Sequence, residues 1–88
     1  MTVRDRIYAM ISMERGRQQA LQRAGKFKHT CADPEMSDHQ CLTILVEEVG
    51  EVARDLCEGR SPITELTEVC AVAVAWLERL HGAKTTEN

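Results

Sequence analysis

Residues 37–58 read SDHQCLTILVEEVGEVARDLCE, and the period of their apolar positions decides the fold. At 100° per residue, Leu42, Leu45, Val46, Val49, Val52, Ala53 and Leu56 fall on one broad arc, the pattern of an amphipathic helix whose apolar arc is expected to face the core. Ser37 and Gln40 form a capping box at its start, with Met36 and Cys41 spaced as a hydrophobic staple. Its end is expected at Cys57 or Glu58, before Gly59. The opposite arc is acidic: Glu47, Glu48, Glu51 and Asp55 stand three or four residues apart, within about 100° of one another on an ideal helix. Like charges at that spacing cost a helix a few tenths of a kcal/mol. Helix two alone therefore allows either an ordinary solvated acidic face or a bound cation.

Two further helices flank this one. Upstream, Thr2 and Asp5 make a weaker capping box for a helix that should run to about Ala24, before Gly25, with Val3, Ile7, Met10, Ile11 and Leu21 as its apolar positions. Residues 25–36, GKFKHTCADPEM, lack a period and read as an ordered loop. Downstream, Ser61 is the expected N-cap and Pro62 the first helical residue of a third helix, which Gly82 should close. Neither an internal repeat nor a low-complexity tract occurs. The chain is thus expected to be all-α, with one helical domain at 1–82 and a flexible tail at 83–88.

Helix three narrows the reading of the glutamates. Glu65 and Glu68 share their arc with Val72, Ala75 and Trp76, while the polar arc holds Thr64, Thr67 and Glu78. The run AVAVAWL at 71–77 is apolar all round, the signature of a buried helix. Inward carboxylates cannot stay ionised without a partner, because desolvation and repulsion favour the protonated form. Arg54, Arg60 and Arg79 are the cations near in sequence; glutamates paired with such arginines are the bland alternative. Pairs at i and i+3 on two facing helices, Glu48 with Glu51 and Glu65 with Glu68, would instead give four oxygen ligands from rigid elements. All-oxygen ligation without histidine points to Mg²⁺, or Mn²⁺, and thereby to phosphate substrates.

Composition sets the outer bounds. With 88 residues the chain is near the low end of what buries a core alone, so a homodimer or homotetramer is expected. A net charge of -3, with 11 Lys and Arg scattered along the chain, argues against binding a nucleic-acid polymer. No stretch approaches a membrane span, and the N-terminus interleaves charges with apolar residues, unlike a secretory signal. A cytoplasmic location with reduced thiols is the expectation, the four cysteines lacking any C-x-x-C pair.

The motifs LVEEVGEV at 45–52 and ELTEV at 65–69, with thirteen residues between Glu51 and Glu65, resemble the paired E-x-x-E and E-x-x-D motifs of the MazG-like all-α nucleotide pyrophosphohydrolases. The resemblance extends to Glu14, Arg15 and Gln18 and to the GKFKHTCADPEM loop, which look like the short members found in phages and gene cassettes, and so covers roughly residues 10–80. It implies Mg²⁺-dependent hydrolysis of a nucleoside triphosphate between its α and β phosphates, giving a monophosphate and pyrophosphate. Glu48, Glu51, Glu65 and Glu68 would ligand the metal, with Glu47 a further ligand or the residue that orients the attacking water, beside Glu48 and Glu51. Glu68 stands where the family's second motif usually ends in aspartate. The phosphate-binding cations that many relatives carry on a fourth helix would have to come from Lys84, Arg79 or a neighbouring subunit. The alternative function is a non-enzymatic interaction or nucleotide-binding module of the same fold.

Arg15, Gln18 and Lys26 are the candidates to reach a base or phosphate from helix one and the loop, and Phe27 the candidate to stack on a base. Trp76, within AVAVAWL, belongs instead to the core or a subunit interface. A competing metal set, His29, Cys31, His39 and Cys41, repeats an H-x-C spacing with zinc-ligand chemistry.

Overall fold

A computed structural model of the chain describes residues 1–26 and 30–86. Three helices occur in the order α1 Val3–Arg23, α2 Asp38–Cys57 and α3 Ile63–Thr86, and no strand is present among the described residues. The helix starts follow from side-chain chemistry. Thr2 and Asp5 exchange hydrogen bonds of 3.0 and 3.1 Å, and Ser37 and Gln40 exchange bonds of 2.8 and 3.1 Å, so each capping box satisfies amide donors that the first turn leaves orphaned. α1 and α2 end alike. Lys26 N–H donates to the Leu21 carbonyl and Arg60 N–H to that of Asp55, both at 2.8 Å, around Gly25 at φ +77° and Gly59 at φ +73°. These are Schellman ends, in which a left-handed residue is required and glycine adopts it without a Cβ clash.

The third helix departs from expectation at both ends. Its first intrahelical bond runs from Leu66 N–H to the Pro62 carbonyl, at 2.8 Å, so Pro62 and not Ser61 is the capping residue; Ser61 Oγ accepts a long 3.4 Å bond from Ile63 N–H. At the other end α3 continues to Thr86 and Gly82 does not stop it. Glycine within a helix costs only about 1 kcal/mol relative to alanine, and Gly82 ends a helix only if the following residues adopt a Schellman turn.

Helix α3 is the centre of the fold and packs against both α1 and α2, which do not pack against each other among the described residues. Asp38 meets Trp76, and Glu48 and Glu51 meet Glu68 and Glu65, so α2 runs antiparallel to α3. The core is small: Cys31, Met36, Cys41, Val72 and Ala75 are buried together, with Ile44, Leu45 and Trp76 packed around them. The staple pair Met36 and Cys41 thus reaches the core as its spacing predicts. The loop that delivers Cys31 and Met36 is two successive turns, Asp33 N–H to the Thr30 carbonyl at 2.9 Å and Met36 N–H to the Asp33 carbonyl at 3.0 Å. On the α1 side, buried Arg15 donates from Nε to Glu78 at 2.9 Å and ties α1 to α3. Trp76 Nε1 donates to Asp38 at 2.8 Å, and Arg79 pairs with the same carboxylate.

Most of the apolar arc of α2 does not face this core, Leu45 being the member that packs against it. Val46 is 60% exposed and Leu56 61% exposed, with Leu42 and Val49 about half exposed, and the acidic arc is turned toward α3 instead. The expected orientation of α2 is corrected accordingly. α3 is likewise buried along one stripe, Ala71, Val72 and Ala75, while Ile63, Leu66 and Leu77 remain at least half exposed. No described helix is long and apolar enough to cross a membrane.

Because Ser37 caps the helix that carries half of the acidic cluster, Ser37→Ala should destabilise the protein by about 1 kcal/mol. Chemical denaturation of the two proteins side by side measures the difference.

Candidate metal centre

Residues 48 and 51 lie one turn apart on α2, and 65 and 68 one turn apart on α3, so antiparallel packing sets the pairs opposite each other. One carboxylate oxygen from each of Glu48, Glu51, Glu65 and Glu68 lies within 4.8 Å of all the others. Glu68 joins this set despite the extra methylene that separates it from aspartate. All four side chains are partly buried. Two unit charges at such a distance repel by roughly 3–4 kcal/mol at an effective dielectric of 20, and four carboxylates make six such pairs. Full ionisation therefore requires a compensating positive charge.

The protein supplies little of it. Among the described residues Glu48, Glu51 and Glu65 form no ion pair, and Glu68 has only Arg17, at 3.8 Å. The neighbouring arginines are engaged elsewhere: Arg60 with Asp55 at 2.9 Å and with Glu58, and Arg79 with Asp38. Glu48 Oε2 and Glu65 Oε2 are buried with no hydrogen-bond partner, a costly condition for a carboxylate. The protonation behaviour follows. Burial, reinforced by the surrounding carboxylates, raises the Glu48 and Glu68 pKa values above the ordinary range. Burial together with the nearby Glu68 and Glu51 carboxylates pushes Glu65 up to about 7. Hard oxygen donors, rigid helical positions and two orphaned buried oxygens fit a divalent cation of the Mg²⁺ class.

A cleft of ≈ 260 Å³ opens beside the set, with Glu48 and Glu68 on one wall, Glu14, Arg17 and Gln18 on another and Ile44, Val72 and Ala75 among its apolar lining. Other expected site residues fall differently. Glu47 is exposed and stands outside the four. Arg15 is not free to meet a ligand: Nε and Nη2 donate to Glu78 at 2.9 and 3.3 Å, and Nη1 to Gln18 at 3.0 Å. Gln18 lines the cleft, Lys26 is exposed beyond the end of α1, and Phe27 lies outside the described residues. Glu14, which enters the sequence argument only through the wider resemblance, and Arg17, which carries no site signal in the sequence, both reach the cleft. Glu14, Arg17 and Gln18 share a helix face at i, i+3 and i+4, but nothing in the sequence says which element that face meets.

The described members of the H-x-C set, Cys31, His39 and Cys41, do not gather closely enough to share an ion. Cys31 and Cys41 are buried in the core, His39 is exposed and His29 lies outside the described residues. Burial, and next the adjacent Cys41 thiol, push Cys31 up to about 12, as suits a packed thiol. All four cysteines are free. Among the described residues the four glutamates are the group of His, Cys, Asp or Glu side chains gathered closely enough to share an ion.

These shifts carry a sign. A carboxylate with a raised folded-state pKa binds more protons folded than unfolded, so stability falls as pH rises between the two values. For Glu65 that window runs from its ordinary 4.5 to about 7, with Glu48 and Glu68 adding in the same direction. Metal-free protein should therefore be less stable at pH 8 than at pH 5, and Mg²⁺ should restore stability at the higher pH. Denaturation curves in chelator and in Mg²⁺ at both values check this; higher metal-free stability at pH 8 would contradict it.

No protein-family model matches the chain, and neither a curated protein nor a solved structure does.

Proposed function

We propose that the chain is a Mg²⁺-dependent nucleoside triphosphate pyrophosphohydrolase, releasing a nucleoside monophosphate and pyrophosphate, with Mn²⁺ able to replace Mg²⁺. The observation that carries this reading is the set of four converging carboxylates, two of them with orphaned buried oxygens, of which Glu48 and Glu68 line a cleft. The resemblance of residues 45–52 and 65–69 to the paired MazG-like motifs supports it and supplies the reaction.

Glu48, Glu51, Glu65 and Glu68 would hold the cation. Bound there, it supplies charge neutralisation for the phosphates and acidity to water. The remaining work falls to the chain itself. A carboxylate oxygen of Glu48 or Glu51 that is free of the cation would accept the proton of the attacking water, and the basicity that burial raises at Glu48 suits that role. Glu47 is exposed and stands outside the four, so the part proposed for it is to orient the attacking water and not to hold the cation. Ile44, Val72 and Ala75 keep one side of the cleft dry, and low dielectric strengthens the electrostatic interactions made there. Gln18 and Thr30 offer the cleft polar groups for the nucleoside.

The working form is proposed to be a homodimer or homotetramer. Leu42, Val46, Val49 and Leu56 make an uncovered apolar helix face, and such faces mark association surfaces. That same face favours a second reading, a helical interaction module that binds a partner or a nucleotide without turnover.

A panel of nucleoside triphosphates should yield pyrophosphate from at least one of them in Mg²⁺ or Mn²⁺. Glu51→Gln should reduce kcat by about 100-fold or more while also weakening metal binding. Absence of turnover across the whole panel would leave the interaction module. In light scattering, Val46→Glu should shift the assembly toward monomer, whereas a wild-type protein that is monomeric at micromolar concentration would remove the oligomer.

A further inference from the structure

The cleft beside the carboxylates lacks an assigned group to hold the negative end of its substrate, and none of the cations expected to reach a phosphate, Arg15, Lys26, Arg79 and Lys84, is described as lining it. Arg79 pairs with Asp38, at the opposite end of the α2–α3 contact from Glu51 and Glu65, and nothing of the Lys84 side chain is described. Arg15 spends every guanidinium nitrogen on Glu78 and Gln18, and Arg60 every one on Asp55 and Glu58.

Arg17 differs from all of these. It lines the cleft, its side chain is 52% exposed, and Nη2 stands 3.8 Å from Glu68 Oε1 at the edge of the carboxylate set. Nε and Nη2 are gripped in a fork by Glu14, at 2.7 and 2.6 Å, while Nη1 donates to no acceptor among the described residues. Glu14 is itself held by Gln18 Nε2 at 3.3 Å. An ion pair within one turn of a helix joins no two elements and adds little to stability, in contrast to the Arg15–Glu78 pair that links α1 to α3. A guanidinium fixed in place by a carboxylate, with one nitrogen unused, is a pre-organised receptor for phosphate oxygens.

We propose that Arg17 is the polyphosphate-binding residue of this site and that Glu14 is the residue that positions it. The inference rests on the reading of the site as a triphosphate hydrolase and adds the group that engages the phosphate chain beside the cation. Arg17 meets the anion through Nη1, and Glu14 keeps the guanidinium at the rim instead of letting it collapse onto Glu68, where it would compete with the metal.

The test is calorimetric titration of the full chain with inorganic triphosphate in Mg²⁺, and separately with Mg²⁺ alone, on wild type, Arg17→Gln, Arg17→Lys and Glu14→Gln. Circular dichroism verifies that each variant is folded. Arg17→Gln should weaken triphosphate binding roughly 10- to 100-fold, the size of a lost charge-assisted contact. Arg17→Lys should recover only part of it, and Mg²⁺ alone should bind Arg17→Gln no more weakly than wild type, because the variant removes a cation beside Glu68. Glu14→Gln should weaken triphosphate binding less than Arg17→Gln does.

Unchanged triphosphate affinity in folded Arg17→Gln, or no triphosphate binding by wild type, overturns the proposal. Its failure is separable from failure of the hydrolase reading. A wild type that hydrolyses a nucleotide, beside an Arg17→Gln with full triphosphate affinity and unchanged KM, sinks the Arg17 role alone. A wild type that binds triphosphate through Arg17 but hydrolyses no nucleotide sinks the hydrolase alone.

Discussion

Four carboxylates within 4.8 Å of one another, between α2 and α3, form the constraint around which the fold is arranged. Left to themselves they push the two helices apart, and the packing that opposes them lies nearer the other end of the antiparallel pair. There Cys41, Val72 and Ala75 are buried together, and Trp76 and Arg79 both meet Asp38 at the start of α2. The hydrogen bond from Trp76, with Arg79 behind it, holds the Asp38 carboxyl below its usual range. One end of the α2–α3 contact thus pairs opposite charges, Arg79 with Asp38, and the other gathers like ones. A protein under no demand to keep that charge gains by replacing it with apolar side chains.

The same orientation explains the surface. A helix has one stripe to bury against a single neighbour, and α2 presents its acidic arc to α3. Its apolar arc, Leu42, Val46, Val49 and Leu56, is consequently left outward. α1 touches α3 but not α2, so no third helix covers that arc. The small core and the large uncovered apolar area are two consequences of one rotational choice. Small chains bury a lesser fraction of their surface in any case, and this fold adds to that limit by placing carboxylates where a core would be.

Helix boundaries were legible because they rest on local chemistry. The Ser37–Gln40 and Thr2–Asp5 boxes and the Gly25 and Gly59 ends involve residues no more than five apart, and the structure has each of them. Gly82 was misread for the complementary reason: a glycine ends a helix only if the chain beyond it turns, and the helix continues to Thr86. The four glutamates were legible because two i, i+3 pairs repeat on consecutive helices, the second beside an apolar run. Arg17 carried no such signal. Its neighbours Arg15 and Gln18 have the same polar character in sequence, yet Arg15 is buried against Glu78 while Arg17 is half exposed at the cleft.

The sequence by itself determined the three helices, the caps of α1 and α2 and the residues of the carboxylate set, since these depend on contacts within a turn or two of chain and on residue chemistry. Tertiary structure decided which face of α2 turned inward. Periodicity identifies two arcs but not which one meets a neighbour, and hydrophobicity alone favoured the arc that lies outside. It also decided that Arg15 is spent on Glu78, that Glu47 stands apart and that Glu14 and Arg17 border the cleft. Each depends on where α1 and α2 lie across α3, a relation between segments some fifty residues apart in the case of Arg17 and Glu68, which no local pattern encodes.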